Sequence, residues 1–322
     1  IDDAPALDWV TAARDEMQVA EDTRLLFRTT AFGYYDHNFV GLCEHRGETL
    51  VHGGVHSRQR IWRVRAKEVI LATGSIERPL IFADNDRPGV MSAGAVRAYA
   101  NRHGVAVGRK VAIFTNNDDA YRTALDLSCA GVSVPAVIDL RTDPSGDLVT
   151  KAMEAGIEII DEAAVTRVEG TRGVKGIEVM ALNGDGNGVT GTAREIACDV
   201  VASSGGWNPT IHLHSHAGGK AKFDDVRGIF LPIESGRACQ SVGATSGIFD
   251  LSGCLADGFR AGKQAARATG AKKQTRRRLP EAASEDETLA RLLWVVPTTE
   301  PTGRKSKHFL DQAHDVTVKD VQ

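Results

Sequence analysis

Lys67-Glu68-Val69-Ile70-Leu71-Ala72-Thr73-Gly74-Ser75 is the stretch on which the fold turns. Charge stands on one side of a short apolar run and Thr-Gly-Ser on the other. That pattern predicts a strand over Glu68 to Thr73, buried on both faces and stopped by a turn. Ile76-Glu77-Arg78-Pro79-Leu80 and then Pro88-Gly89-Val90 follow it. The same order of charge, apolar residues, small residues and glycine returns at Cys198-Asp199-Val200-Val201-Ala202-Ser203-Ser204-Gly205-Gly206. Small residues at the carboxyl end of a strand let a ligand approach the backbone with no Cβ in the way.

Between and around these two strand ends, helical and strand patterns alternate. Asp8 to Ala20 has a helical period, Arg24 to Gly33 reads as a strand, and Asn38 to Glu44 with Gln59 to Arg65 reads as a ribbon joined near Gly53-Gly54. Helices are expected over Ala93 to His103, Asp118 to Ala130 and Leu148 to Ala155, the last two closed by Gly131 and Gly156. Strands are expected over Arg109 to Phe114, Ser133 to Leu140, Ile157 to Ile160, Ala164 to Glu169, Gly176 to Leu182 and Thr190 to Ala197. Later come short strands at Ile229 to Ile233 and Ala238 to Gly243, and a helix rich in Ala and Gly over Gly253 to Ala268.

Such alternation implies a parallel sheet with crossover helices. The expected class is α/β, with two nested dinucleotide-binding (Rossmann-like, FAD/NAD(P)-binding) domains, the first incomplete. Residues 1–90 form the later part of the first domain. Residues 91–206 form an inserted, degenerate second one, and residues 207–270 return to the first. Residues 271–288 are a charged linker, basic over Lys272 to Arg278 and acidic over Glu281 to Glu287, and residues 289–322 start a C-terminal segment.

Composition narrows the partners. The chain has 322 residues, a formal charge of -3 and 25% charged residues, which gives no electrostatic reason to expect nucleic acid or an anionic membrane. No long apolar run or leader-like start occurs, so the expected location is the cytoplasm. The five cysteines, Cys43, Cys129, Cys198, Cys239 and Cys254, include no C-x-x-C pair and read as reduced thiols, which argues against a dithiol flavin reductase.

The phosphate loop of the second domain belongs after the strand ending at Phe114. Its residues are Thr115-Asn116-Asn117-Asp118-Asp119-Ala120, without a glycine. Asp118 and Asp119 at the helix N-terminus are expected to cap it and to repel a pyrophosphate. Asp139, at the end of the next strand, is where a working copy holds a ribose, but here reads as a turn residue before Arg141. In the first domain the candidate cofactor contacts are Thr30 and Ala31, then Thr73 and Gly74, then Gly243, Thr245, Gly247, Phe249 and Leu251. Ala244 stands where related flavoproteins carry an aspartate. His212, His214 and His216 alternate, which on a strand puts three imidazoles on one face, but no carboxylate or thiol completes a metal set. No catalytic constellation stands out.

Arg28-Thr29-Thr30-Ala31-Phe32-Gly33-Tyr34-Tyr35-Asp36, the Ala-Thr-Gly-Ser stretch with Arg78-Pro79, Ser204-Gly205-Gly206-Trp207-Asn208-Pro209 and Asp315-Val316-Thr317-Val318-Lys319-Asp320 together resemble the alpha subunit of heterotetrameric sarcosine oxidase. The resemblance covers nearly the whole chain, as an internal fragment of that subunit. It implies oxidative demethylation of sarcosine to glycine, formaldehyde or methylene-tetrahydrofolate, and hydrogen peroxide, in an assembly with beta, gamma and delta subunits. It further implies NAD in this subunit, FAD and FMN in the assembled enzyme, tetrahydrofolate in a downstream domain, and no catalytic residue or metal here. The alternatives are an FAD/NAD(P)H-dependent reductase and a related amine or opine oxidase subunit. The Asn-Asn-Asp-Asp loop, and a tail at Phe309 to Asp315 without cysteines, favour the sarcosine branch.

Overall fold

The computed structural model describes residues 1–47, 58–233, 236–271, 277–283, 288–299 and 307–321. The chain divides into two units, one of residues 1–76 and 208–287, the other of residues 77–207 and 288–322. No helix among the described residues is long and apolar enough to cross a membrane.

The second unit holds a parallel sheet. Its strands run in the order Val90–Ser92, Val200–Ser204, Val111–Thr115, Val137–Asp139 and Ile159–Ile160. The central strand Val111–Thr115 is buried at every position, and its side chains alternate between two cores. Val111 and Ile113 join Val96, Tyr121, Leu127 and Val149 on the helical face. Ala112 and Phe114 join Leu80, Phe82, Ile138 and Ile177 on the other. That second face is covered by an antiparallel meander, Ala163–Glu169, Gly176–Leu182 and Val189–Ala197. Phe114 meets Phe82 edge-on, with ring centroids 5.3 Å apart. Truncating such a fully buried phenylalanine to alanine costs about 3–5 kcal/mol.

The helices on this sheet are Ala93–His103, Asp119–Cys129 and Asp147–Glu154, within a residue of the expected bounds at most ends. Gly131 and Gly156 follow the last two with φ of 78° and 76°, the left-handed turn that favours glycine. The strand expected over Ser133 to Leu140 shortens to Val137–Asp139, because the main chain before it makes only an isolated bridge, Lys110 to Ser133.

The first unit contains the helix Ala6–Val19, the antiparallel sheet Thr29–Tyr35, Phe39–His45 and Gln59–Arg65, and a parallel pair, Val69–Leu71 with Cys239–Ser241. The Gly53-Gly54 turn lies outside the described residues, as do residues 272–276 and 284–287 of the charged runs. Two expectations change here. The strand of the opening stretch is three residues long and is not buried on both faces, since Ile70 is 39% exposed. The pairing of Val69–Leu71 with Cys239–Ser241 holds it, and its alternation buries Leu71 while turning Ile70 outward. The strand predicted from Arg24 begins at Thr29. Upstream, Arg24 instead lies over the indole of Trp62, 5.3 Å from its centroid. The core of this unit is small, built on Tyr34, Leu71 and Ala217.

The helix Leu251–Ala268 starts on an aspartate cap: Asp250 accepts a hydrogen bond from the Gly253 amide at 2.7 Å. Its buried residues are Asp257 and Ala261, one turn apart on one face.

Candidate functional sites at the two strand ends

In the first unit the strand end and the late glycine-rich segment come together. The Thr73 hydroxyl donates to the Thr210 carbonyl at 2.7 Å and lies 3.0 Å from Oγ1 of Thr245. The Thr245 hydroxyl also reaches the Gly74 carbonyl at 3.2 Å, and that carbonyl accepts from the Thr210 amide at 2.9 Å. Thr245 is fully buried, whereas Thr73 is exposed. Gly74 has φ 74°, and a Cβ there would meet no atom within 4 Å. The turn is therefore both conformationally committed to glycine and open on the side where a side chain would stand.

Gly243 and Gly247 bound a single turn of 3-10 helix and both have positive φ, 65° and 85°. The Gly243 amide donates to Asp257 at 2.9 Å, and the Ser246 hydroxyl donates to the same carboxylate oxygen at 3.2 Å. Arg260 pairs with the other oxygen. Burial alone raises the Asp257 pKa, but the Gly243, Arg260 and Ser246 contacts outweigh it and hold the group below the usual carboxylate range. Asp257 thus fixes the loop that contains Ala244. Sequence reasoning missed it. The available signal was an acid among Ala and Gly on the inner face of a helix.

The remaining candidates do not join this cluster by any described hydrogen bond. Thr30 and Ala31 sit in the antiparallel sheet opposite Cys43 and Leu42, with Thr30 exposed. Phe249 is half-buried just before the helix Leu251–Ala268, and Leu251, its first residue, is 46% exposed. The three histidines form a short helix, His212–His216, and not one face of a strand. Their spacing then sends His214 inward, with Nε2 3.0 Å from the Lys220 carbonyl, while His216 Nδ1 accepts from the Tyr34 amide at 3.1 Å.

In the second unit the loop after Val111–Thr115 differs from the expectation in its charge arrangement. Asp118 makes no cap hydrogen bond to the helix it precedes. Its carboxylate lies 2.6 Å from the Arg141 guanidinium and accepts from the Thr288 hydroxyl. The amide of Asp119 is taken up by Asn117 Oδ1 at 3.0 Å, and Asp119 itself accepts from the Trp207 indole at 3.1 Å. Asp139 is the last residue of its strand and not a turn residue; it accepts from the Arg141 amide at 2.9 Å, is fully buried and is ion-paired with Arg141 at 2.8 Å. The Tyr121 hydroxyl donates at 2.8 Å to Oδ2, the oxygen with which Arg141 Nη2 pairs. Burial tends to lower the Arg141 pKa, yet the hydrogen bond to Asp139 and the charges of Asp139 and Asp118 raise it. Burial, then Asp139, drive the Tyr121 pKa up as well. The carboxylates of Asp118 and Asp139 thus share one guanidinium inside the protein.

Glu77 lies at the start of the helix Ala93–His103, where its Oε2 accepts from the Gly94 amide at 2.8 Å. Its Oε1 is buried without a hydrogen-bond partner among the described residues, and burial raises its pKa.

No family model matches the chain. Sarcosine oxidase subunit alpha from Corynebacterium sp. (strain P-1) is 37% identical over all of this chain and 33% of its own length. The subunit alpha of Rhizobium meliloti (strain 1021) is 37% identical over all of this chain and 31% of its own. Among solved structures, L-proline dehydrogenase from P. horikoshii has a TM-score of 0.55 at 23% identity, covering 79% of this chain and 43% of that one. Bacillithiol disulfide reductase from Staphylococcus aureus has a TM-score of 0.56 at 17% identity, covering 84% and 77%. These two show the fold, a Rossmann-like α/β architecture. Over all of its residues the chain belongs with the sarcosine oxidase alpha subunits, spanning about a third of the length of the curated relatives it matches.

Proposed function

We propose that this chain is the cofactor-holding part of the alpha subunit of a multi-subunit sarcosine-oxidising enzyme, that its first unit grips NAD, and that its residues do not take part in bond making. The observation that carries this reading is the Thr73, Gly74 and Thr245 latch, with open space over Gly74 and main-chain turns of positive φ at Gly243 and Gly247. These residues suit a dinucleotide, which is met by backbone and small hydroxyls at a strand end. Thr73 is the exposed hydroxyl of that set, and Thr245 and Asp257 act behind it by holding the turns.

The second unit does not fit a dinucleotide. Its Asn116 carbonyl is engaged by Arg291, its Asp118 carboxylate by Arg141 and its Asp119 carboxylate by Trp207, and no glycine opens it. That weighs against a pyridine-nucleotide flavin reductase, in which this unit docks NAD(P)H. The reaction assigned to the assembly takes sarcosine, oxygen and water to glycine, formaldehyde and hydrogen peroxide, or passes the one-carbon unit to tetrahydrofolate. In this reading the substrate flavin belongs to the beta subunit and a second flavin lies between alpha and beta, with gamma and delta as further partners and the cytoplasm as the compartment.

The test is quantification of NAD released by acid from the purified subunit. The expected result is one NAD per chain, lost in Gly74→Val and kept in Asn116→Ala. NAD retained by Gly74→Val and lost from Asn116→Ala would overturn the reading.

A further inference from the structure

The carboxyl ends of the parallel strands in the second unit are covered by the chain itself. Arg291 and Asn116 exchange two hydrogen bonds: the Arg291 amide donates to the Asn116 carbonyl at 3.0 Å, and Asn116 Nδ2 donates to the Arg291 carbonyl at 2.8 Å. Asn116 is fully buried, one residue beyond Val111–Thr115. The Arg291 guanidinium donates to the carbonyl of Leu140, one residue beyond Val137–Asp139. The Trp294 indole donates to the Gly205 carbonyl at 2.9 Å, one residue beyond Val200–Ser204. Each of these strand ends therefore spends a polar group on the same short segment.

The segment is also held along its length. Thr288 donates to Asp118. The Ile81 amide donates to the Trp294 carbonyl, and the Val296 amide to the Ile81 carbonyl, both at 2.8 Å, a parallel bridge. The Arg78 guanidinium stacks on Trp294, 4.2 Å from the ring centroid, and Val296 is 1% exposed in the core of the sheet's second face. Gly186 faces the Arg291 guanidinium so closely that a Cβ there would collide with it.

In doubly wound sheets a nucleotide lies beyond the carboxyl ends of the central strands. We propose that Thr288–Val296 is a built-in occupant of that position, and that it keeps the second unit closed to free dinucleotides. Being part of the same chain, it competes at an effective concentration of about millimolar or more, so a free ligand has to displace all its contacts at once. This inference concerns the second unit alone and stands or falls independently of NAD in the first.

Amide hydrogen exchange on the full chain tests it, with and without ADP-ribose as the probe. In the wild type the Arg291 and Val296 amides should exchange within about tenfold of the Ile113 amide in the central strand, and ADP-ribose should leave residues 115–119 unchanged. In Thr288→Ala/Arg291→Ala, Val296 exchange should rise at least tenfold while Ile113 is unaffected. Wild-type Arg291 and Val296 amides that exchange at free-chain rates, or slowing of residues 115–119 by ADP-ribose, would overturn the proposal. The wild-type measurement decides even if the variant fails to fold.

Discussion

The carboxylate of Asp118 lies 2.6 Å from the guanidinium of Arg141, which pairs at the same time with the fully buried Asp139. One cation thus pairs with two acids at neighbouring strand ends, and the side chain that does so is only 11% exposed. Removing one member of a buried ion network leaves the others uncompensated, which costs more than the network contributes net.

Arg141→Met should therefore destabilise the second unit by about 3–5 kcal/mol, because Asp139 is left buried with the Tyr121 hydroxyl as its remaining side-chain donor. Arg141→Lys should recover only part of that loss, since an ammonium cannot reproduce the forked contacts to both acids. Urea unfolding followed by tryptophan fluorescence measures both. Equal midpoints for the wild type and Arg141→Met would contradict the account.

Glu77 carries a raised pKa caused first by burial. A carboxyl whose folded pKa lies above its unfolded value favours the fold when protonated, and this contribution is lost as pH rises through the folded value. Glu77→Gln keeps an acceptor for the Gly94 amide and removes the buried charge. It should melt higher than the wild type at pH 7, and the gap should close below about pH 4.5, the ordinary glutamate value. Melting curves across that range check the sign.

His308 titrates in the opposite sense. Burial lowers its pKa from 6.5, with Asp84 opposing, and neither ring nitrogen has a hydrogen-bond partner among the described residues. A histidine whose folded pKa is depressed contributes stability above its unfolded value that is lost as pH falls through the folded value. The second unit should lose stability as pH drops below 6.5, and His308→Leu should flatten that part of the profile. An unchanged slope in the variant would assign the loss to another group.

Thr245→Val removes the hydroxyl that links Thr73 to the Gly74 carbonyl and keeps the side-chain volume. The expected cost is about 1–2 kcal/mol in the first unit, because the Thr73 hydroxyl and Gly74 carbonyl each lose a partner. Differential scanning calorimetry reads this directly.

Asn117→Gly should not create NADH binding in the second unit. The loop would gain the missing glycine, yet Arg141 and Arg291 would still hold its neighbours. A fluorescence titration with NADH should show no saturable signal from this unit.

What was legible in the chain was whatever depends on local pattern. Helices Ala93–His103 and Asp147–Glu154, the three strands between Ala163 and Ala197 and the small-residue strand ends follow from periodicity, capping glycines and apolar runs, whereas the antiparallel pairing of those strands does not. The absence of glycine between Thr115 and Ala120 was equally plain. The alternation of His212, His214 and His216 does not specify a strand, and Asn208-Pro209 leads here into a helical turn.

By itself, then, the sequence determined an α/β chain with two strand ends suited to a ligand and a loop unsuited to one. The tertiary structure decided what the acids of that loop do. Asp118 and Arg141 are separated by a helix and a strand, and Asn116 and Arg291 by most of the second unit. Contacts between residues so far apart depend on how strands order in the sheet, which no local periodicity encodes. By its place Asp118 reads as a cap that repels phosphate; in the fold it is one of two acids paired with Arg141 beneath a strap of the protein's own chain.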